Sequence, residues 1–234
     1  MTEAPPFVLS LRSVHREYGD GDATVKALDG VSLDIRQGEF VAFMGPSGSG
    51  KSTCLNVLGC LDPPTAGTYT FLGRDVSKLN AEQRALLRRH WLGFVFQSFN
   101  LLPRTSALEN VELPLVYQGV GASERTKRAR EALAVVGLAA WAHHLPNELS
   151  GGQQQRVAMA RAIVAQPAVL FADEPTGNLD TTKSHEIAKL LSDLNQTRAL
   201  TIVMVTHEEE MATYASRIVR FRDGRIERDE ARTP

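Results

Sequence analysis

The run Gly45-Pro46-Ser47-Gly48-Ser49-Gly50-Lys51-Ser52-Thr53 carries the densest chemical information in the chain. Gly45, Gly50, Lys51 and Ser52 fit the spacing G-x-x-x-x-G-K-[ST] of a loop that cradles phosphate. Glycines let backbone N–H groups close on phosphate oxygens with no Cβ in the way. Lys51 can neutralise β- and γ-phosphate charge, and the Ser52 hydroxyl can ligate Mg²⁺. Pro46 has no N–H, so it shapes the loop rather than donating to it. The flanks agree with this reading. Glu39–Met44 is mostly apolar and reads as a buried strand, and Thr53–Leu58 has helical spacing with no breaker before Gly59. Strand, loop and helix in that order aim N–H groups and a positive helix end at a polyphosphate. Taken alone, the loop specifies a nucleoside triphosphate and leaves kinases, GTPases and transport ATPases open.

Further groups narrow the chemistry. Leu149-Ser150-Gly151-Gly152-Gln153 stands ahead of a helical run, Gln154 to Ala165. Ser150 is a good N-cap, and two glycines before a helix make a second anion-binding terminus. The apolar strand Val169–Ala172 ends in Asp173 and Glu174. The first carboxylate can hold Mg²⁺ and the second can orient an attacking water. His207 follows the apolar run Thr201–Val205, beyond the carboxyl end of a strand, where open α/β sheets bind ligands. Gln97 follows Leu92–Phe96, and its amide can reach Mg²⁺ or the attacking water.

The elements that must position these residues are legible in outline. Val8–Val14 reads as a strand, and Val31, Leu33 and Ile35 alternate with polar residues, as in an antiparallel sheet with one wet face. Asn80 with Gln83 reads as a helix start. A helix from Ser123 to near Val136 stops at Gly137, and its charges Arg125, Lys127, Arg128 and Arg130 form a solvated face. Helices are expected from Gln153, Thr182 and Glu208, and a hairpin at Asp223-Gly224. The runs 169–172 and 201–205 lack alternation, as parallel strands covered on both faces do. The whole is α/β, with an all-helical segment inserted at about 97–150.

Composition sets outer bounds. The 234 residues are 43% hydrophobic and 23% charged, with a formal net charge of −1. That describes a globular protein with no basic surplus for nucleic acid. Cys54 and Cys60 fit no zinc or redox spacing and read as small buried hydrophobes. The most apolar stretch, Ala132–Ala142, is about half the ~20 residues of a membrane span. Met1–Pro6 has neither a basic nor an apolar leader region. A cytoplasmic chain is expected, with any membrane part on another polypeptide.

In order and over nearly the whole chain, these motifs resemble the ATP-binding-cassette (ABC) ATPases; a phosphate loop joined to Leu-Ser-Gly-Gly-Gln marks that family and not kinases or GTPases. The resemblance implies a single domain over 1–234, a P-loop NTPase core of mainly parallel sheet. Residues 1–96 and 151–234 would form the RecA-like core with an antiparallel β subdomain, and 97–150 an inserted helical subdomain. It implies ATP and Mg²⁺ as ligands, with Ser47, Gly48, Ser49 and Thr53 among the phosphate-binding positions. By family likeness, Tyr18 stacks on adenine, Gln97 and Ser52 join Asp173 at magnesium, and Glu174 is the catalytic base. His207 senses the γ-phosphate, and Gly177-Asn178-Leu179-Asp180 resembles the D-loop, with Asp180 among the nucleotide-binding positions.

It also implies a head-to-tail homodimer in which Ser150, Gly151, Gly152 and Gln153 of one subunit close on the nucleotide of the other. Finer stretches, Cys60–Gly67, Gly93–Pro103, Ala107–Leu115 and Asp173–Asp180, look like the macrolide-export and lipoprotein-release group. That group implies an integral membrane permease, separate here because the chain stops after one cassette. It implies a place on the inner face of the membrane and, through the permease, a periplasmic adaptor and an outer-membrane component. Phe99, Leu101 and Leu102 are expected either to line a groove for a permease helix or to pack within the helical lobe. The alternative is a regulatory cassette that signals through a membrane partner to cell-wall hydrolases. A soluble cassette of DNA repair or translation fits less well, since the chain has neither a second cassette nor a long inserted arm.

Overall fold

A computed structural model of the chain describes residues 7–19 and 24–232, so the leader reading of Met1–Pro6 lies outside the described residues. Two sheets share the chain. The first is antiparallel, in the order β2-β1-β4-β5, from β1 (Leu9–Tyr18), β2 (Val25–Ile35), β4 (Ala66–Phe71) and β5 (Arg74–Asp75). Val31, Leu33 and Ile35 point into the protein while Ser32 faces out, as their alternation requires. The second sheet has the order β10-β9-β3-β8-β7-β6. Its members are β3 (Phe40–Met44), β6 (Leu92–Phe96), β7 (Val169–Asp173), β8 (Thr201–Val205), β9 (Arg217–Arg222) and β10 (Arg225–Ala231). All neighbours in it are parallel except the β9–β10 hairpin, which turns at Asp223-Gly224 with φ of 49° and 76°.

The parallel strands separate two cores. Along β3, Phe40, Ala42 and Met44 enter one cluster while Val41 and Phe43 enter the other. Along β8, Ile202 and Met204 oppose Val203 and Val205 in the same way. A period of two with apolar residues on both sides gives the continuous runs seen in the sequence. One core holds the antiparallel sheet and α1 (Lys51–Leu58). The other holds α3 (Ala107–Tyr117), α4 (Ala122–Val135), α5 (Gly151–Ile163) and α6 (Thr181–Arg198).

Helix starts follow caps, and the caps correct several expected bounds. α1 begins at Lys51 on the left-handed Gly50, two residues before the apolar spacing starts. α2 (Ala81–Trp91) has the Asn80–Gln83 capping box. α4 begins at Ala122 on Gly121 rather than at Ser123. α6 begins at Thr181 because the Asp180 side chain accepts from the Lys183 N–H. α7 (Glu209–Ala212) follows β8.

This topology fixes where the chemistry sits. β6, β7, β8 and β3 are successive parallel neighbours, and Gln97, Glu174, His207 and the phosphate loop lie just past their carboxyl ends. The edge strand β6 is pressed against α5 so closely that a Cβ on Gly93 would stand 2.5 Å from the Ala162 carbonyl oxygen. Gly93→Ala should therefore destabilise the fold by roughly 1–3 kcal/mol through overpacking, read as a lower denaturation midpoint at unchanged slope.

Candidate active site

The phosphate loop needs its glycines for two separate reasons. Gly45 and Gly50 adopt φ of 143° and 101°, and a Cβ on them would stand 2.2 Å from Phe221 O and 2.6 Å from Ala27 O. Gly50 caps α1 without a side chain, so no N-cap side chain satisfies the first-turn N–H groups. Lys51 is buried at that helix start, and its Nζ donates to the carbonyls of Gly45 and Pro46 at 2.8 Å each. Burial pushes its ammonium below the usual lysine range, and the charges of Glu174 and Asp173 oppose that shift. Ser47 and Gly48 are exposed, Thr53 is half-buried, and Ser49 is buried with its hydroxyl unpartnered.

Opposite the loop, Asp173 ends β7 and lies 3.4 Å from the Ser52 hydroxyl, which donates to it. Burial pushes the Asp173 carboxyl above the usual range, and the Glu174 charge adds to the rise. The Ser52 bond and Lys51 pull the other way. Glu174 leaves the strand in the left-handed region, φ 46°, a strained setting for a side-chain residue of order 1 kcal/mol or more. Its carboxylate lies 3.3 Å from Nδ1 of the exposed His207. A lysine, a hydroxyl, two carboxylates and an imidazole thus converge at one end of the sheet.

The ABC transporter profile matches residues 28–177, more than half of the chain. The chain belongs to the ABC transporter family. Among curated relatives, an uncharacterized ABC transporter ATP-binding protein of Thermotoga maritima is 53% identical over 96% of this chain and 96% of its own length. YknY, an uncharacterized ABC transporter ATP-binding protein of Bacillus subtilis, is 52% identical over 94% of this chain and 95% of its own. The macrolide export ATP-binding/permease protein MacB of Hyphomonas neptunium is 52% identical over 94% of this chain. This chain spans only 34% of that MacB, about a third of its length. The ATP-binding cassette MJ0796, solved as a dimer in a post-hydrolysis state with ADP and Pi, superposes with a TM-score of 0.88. It is 46% identical, and the match covers 97% of this chain and 99% of that one. The α/β architecture expected from the motifs is therefore that of an ABC ATPase cassette.

Mg²⁺, which the family implies, fits the cassette's donors. Ser52 Oγ and Asp173 Oδ1 are adjacent hard oxygens, the kind a small cation takes one or two of while keeping water and phosphate. Among the described residues no cluster of three or more His, Cys, Asp or Glu could hold a metal.

The second glycine pair differs from expectation. Gly151 and Gly152 lie inside the first turn of α5, because Ser150 and Gln153 form a capping box across them. Ser150 N donates to Gln153 Oε1 at 2.9 Å, and Ser150 Oγ accepts from Gln153 N at 3.4 Å. The glycines also admit neighbours: a Cβ on Gly152 would stand 3.0 Å from Lys183 Cδ, and one on Gly151 3.3 Å from Leu179. Asp180, besides capping α6, is ion-paired to Lys183, which holds its carboxyl below the usual range.

Tyr18, at the end of β1, donates its hydroxyl to Asp62 at 2.7 Å, and the Arg16 guanidinium lies 4.4 Å from its ring centroid. The Gln97 side-chain bond runs to Asn178 and not to Ser52 or Asp173. Gln97 Nε2 donates to Asn178 Oδ1 at 3.2 Å, and Asn178 Nδ2 donates to the Gln97 carbonyl at 3.0 Å.

Sequence reasoning missed this amide pair, and also Gln155 and Arg161. Gln155 is fully buried, a glutamine on the apolar stripe Gly152, Ala158, Met159 and Ala162, which is itself a detectable signal. Arg161 donates to the carbonyls of Asn100 and Phe99, which are both left-handed. At that bend Leu101 packs on the helical core and Leu102 is exposed. A cavity of about 630 Å³ beside them is lined by Phe94, Phe96, Pro114, Tyr117 and Arg88, and not by Phe99, Leu101 or Leu102.

The raised Asp173 carboxyl has a stability consequence. An acid whose folded pKa exceeds its unfolded value of about 4 binds more protons folded, so stability falls as pH rises through that interval. In the absence of Mg²⁺ and nucleotide, Asp173→Asn should be more stable than the parent at neutral pH. Denaturation at pH 3.5 and pH 7 should show that advantage growing with pH.

Proposed function

We propose that the chain is the ATP-hydrolysing subunit of an ABC transporter, acting as a homodimer around two ATP and driving a separate membrane permease. The observation that carries this reading is the convergence of Lys51, Ser52, Asp173, Glu174 and His207 at one sheet end. Lys51 and the α1 terminus bind the phosphates, and Ser52 with Asp173 would hold Mg²⁺, which would supply positive charge at the γ-phosphate. Glu174 orients a water and accepts its proton, and His207, in contact with Glu174, fixes the carboxylate and meets the γ-phosphate. Tyr18 stacks on adenine, and Gln97, which pairs with Asn178 here, would be a further ligand to the metal.

Among the described residues no hydrogen bond of Ser150–Gln153 reaches Gly45–Thr53. A second copy supplying that helix terminus, alongside Asp180, accounts for it, and the dimeric MJ0796 cassette supports the same reading. The order of α3 and α4 between β6 and α5 supports a division into core (1–96 and 151–234) and helical subdomain (97–150).

The permease is of the macrolide/peptide-export or lipoprotein-release type, as the identity to MacB-named proteins supports. Relatives of cassette length support a permease on its own chain. Among the described residues no helix is long and apolar enough to cross a membrane, so attachment at the inner face runs through that permease. The macrolide-export reading extends, through the permease, to a periplasmic adaptor and an outer-membrane component. The cavity between Phe94, Pro114 and Tyr117 receives a permease helix.

Glu174→Gln should retain ATP binding and lose turnover by about 10²- to 10⁴-fold. It should also elute as a dimer in gel filtration with ATP. Lys51→Ala should instead weaken nucleotide binding itself. Near-parental hydrolysis by the Glu174 variant would remove that residue from its role.

A further inference from the structure

Gln155 has no exposed surface and stands on the face of α5 turned to the core. Its Nε2 donates to the Pro175 carbonyl at 2.5 Å and lies 3.4 Å from the Phe96 carbonyl. Phe96 and Asp173 are register partners on β6 and β7. One buried amide therefore ties the two strand ends together just where Gln97 and Glu174 begin. Its Oε1 is buried without a partner. Two carbonyls fix which way the amide faces, because turning it over would set oxygen against oxygen.

Glu174 depends on such ties. Its left-handed backbone is one the chain disfavours unless its surroundings impose it. The Glu174 N–H donates to Val205 O at 3.0 Å, and its carbonyl accepts from the Gly177 N–H at 3.1 Å. Both are main-chain bonds. The next carbonyl, that of Pro175, is held by a side chain from a different element. A Cβ on Gly177 would stand 2.7 Å from Gln97 Nε2, so the loops after β6 and β7 are already in close contact there.

We infer that Gln155 is a positioning residue. By pinning the Pro175 and Phe96 carbonyls it holds the Glu174 and Gln97 main chains in fixed relation to each other and to the Ser150 end of α5. Its contacts are to main-chain carbonyls, so it acts through the backbone. A displacement of α5, whose first turn carries Ser150, is passed to Glu174 through this amide. The inference rests on Glu174 being the general base.

The test uses the full chain, with affinity read from a fluorescent ATP analogue and chemistry from single-turnover Mg-ATP hydrolysis. Gln155→Met fills the same volume without a donor. It should keep nucleotide affinity within about twofold and slow hydrolysis by roughly 10- to 100-fold, the scale of a slight misplacement of a reacting group. Gln155→Glu sets an ionised acid against two carbonyls, whereas its protonated form restores a donor. Its rate relative to the parent should climb as pH falls from about 8 to 6, and that of Gln155→Met should not. A parental rate in Gln155→Met, an equal loss of affinity and rate, or no acid recovery in Gln155→Glu would each overturn the inference. Glu174→Gln is run alongside. Parental hydrolysis there would overturn the general-base reading, while an inactive Glu174→Gln beside an unimpaired Gln155→Met overturns this inference alone.

Discussion

Burial sets Lys51, Asp173 and Glu174 against one another at the carboxyl end of the parallel sheet. The ammonium is disfavoured by the protein around it and favoured by the two carboxylates. Asp173 is disfavoured by burial and by its neighbour Glu174, and relieved only in part by Ser52 and Lys51. Among the described residues no partner resolves these demands. Lys51 turns to the neutral carbonyls of Gly45 and Pro46, which stabilise a cation less than a phosphate does. Charges held short of compensation in a preorganised site are the electrostatic basis for binding an anion and a divalent cation together.

The sheet supplies the rigidity that this tension requires. Because β3, β7 and β8 have a core on each face, their ends cannot tilt without opening one core or the other. The left-handed turn at Glu174 is anchored on β8 through the Val205 carbonyl, so the carboxylate inherits the position of two strands. His207 lies just past the end of that same β8. The contact between Glu174 and His207 is thus a contact between neighbouring strand ends, and it is as fixed as their register, in which Asp173 faces Val205.

The motifs and the strand order of events along the chain were legible because they depend on local chemistry. A glycine loop between an apolar strand and a helix, and carboxylates ending an apolar run, announce themselves at short range. The capping boxes at Asn80 and Ser150 are equally local, although the box at Ser150 places Gly151 and Gly152 inside the helix and not before it. The similar box at Ser106 and Glu109 starts α3 by the same local signal. What the sequence withheld depends on separations of dozens of residues. Gln97 and Asn178 pair across the ends of β6 and β7, and Arg161 holds a bend some sixty positions earlier. No periodicity encodes such contacts, because the topology of the sheet creates them.

Glycine shows the same division. At Gly45 and Gly50 the backbone itself demands the residue, and the demand is visible as a motif. At Gly93, Gly152 and Gly177 the backbone is ordinary and the demand comes from Ala162, Lys183 and Gln97, each on another element. These three lie where α5, β6 and the loop after β7 converge. Small residues at the crossing of rigid elements bring main chains close enough for a buried side chain to bridge a carbonyl of β6 and one of the loop after β7. The close approach at Gly93 and the reach of Gln155 to Phe96 are therefore parts of one packing solution. A change that widened the gap between β6 and α5 would lengthen the Gln155 bond to Phe96 before it exposed any apolar surface, so the geometry of the site is more sensitive to this joint than the stability of the fold is.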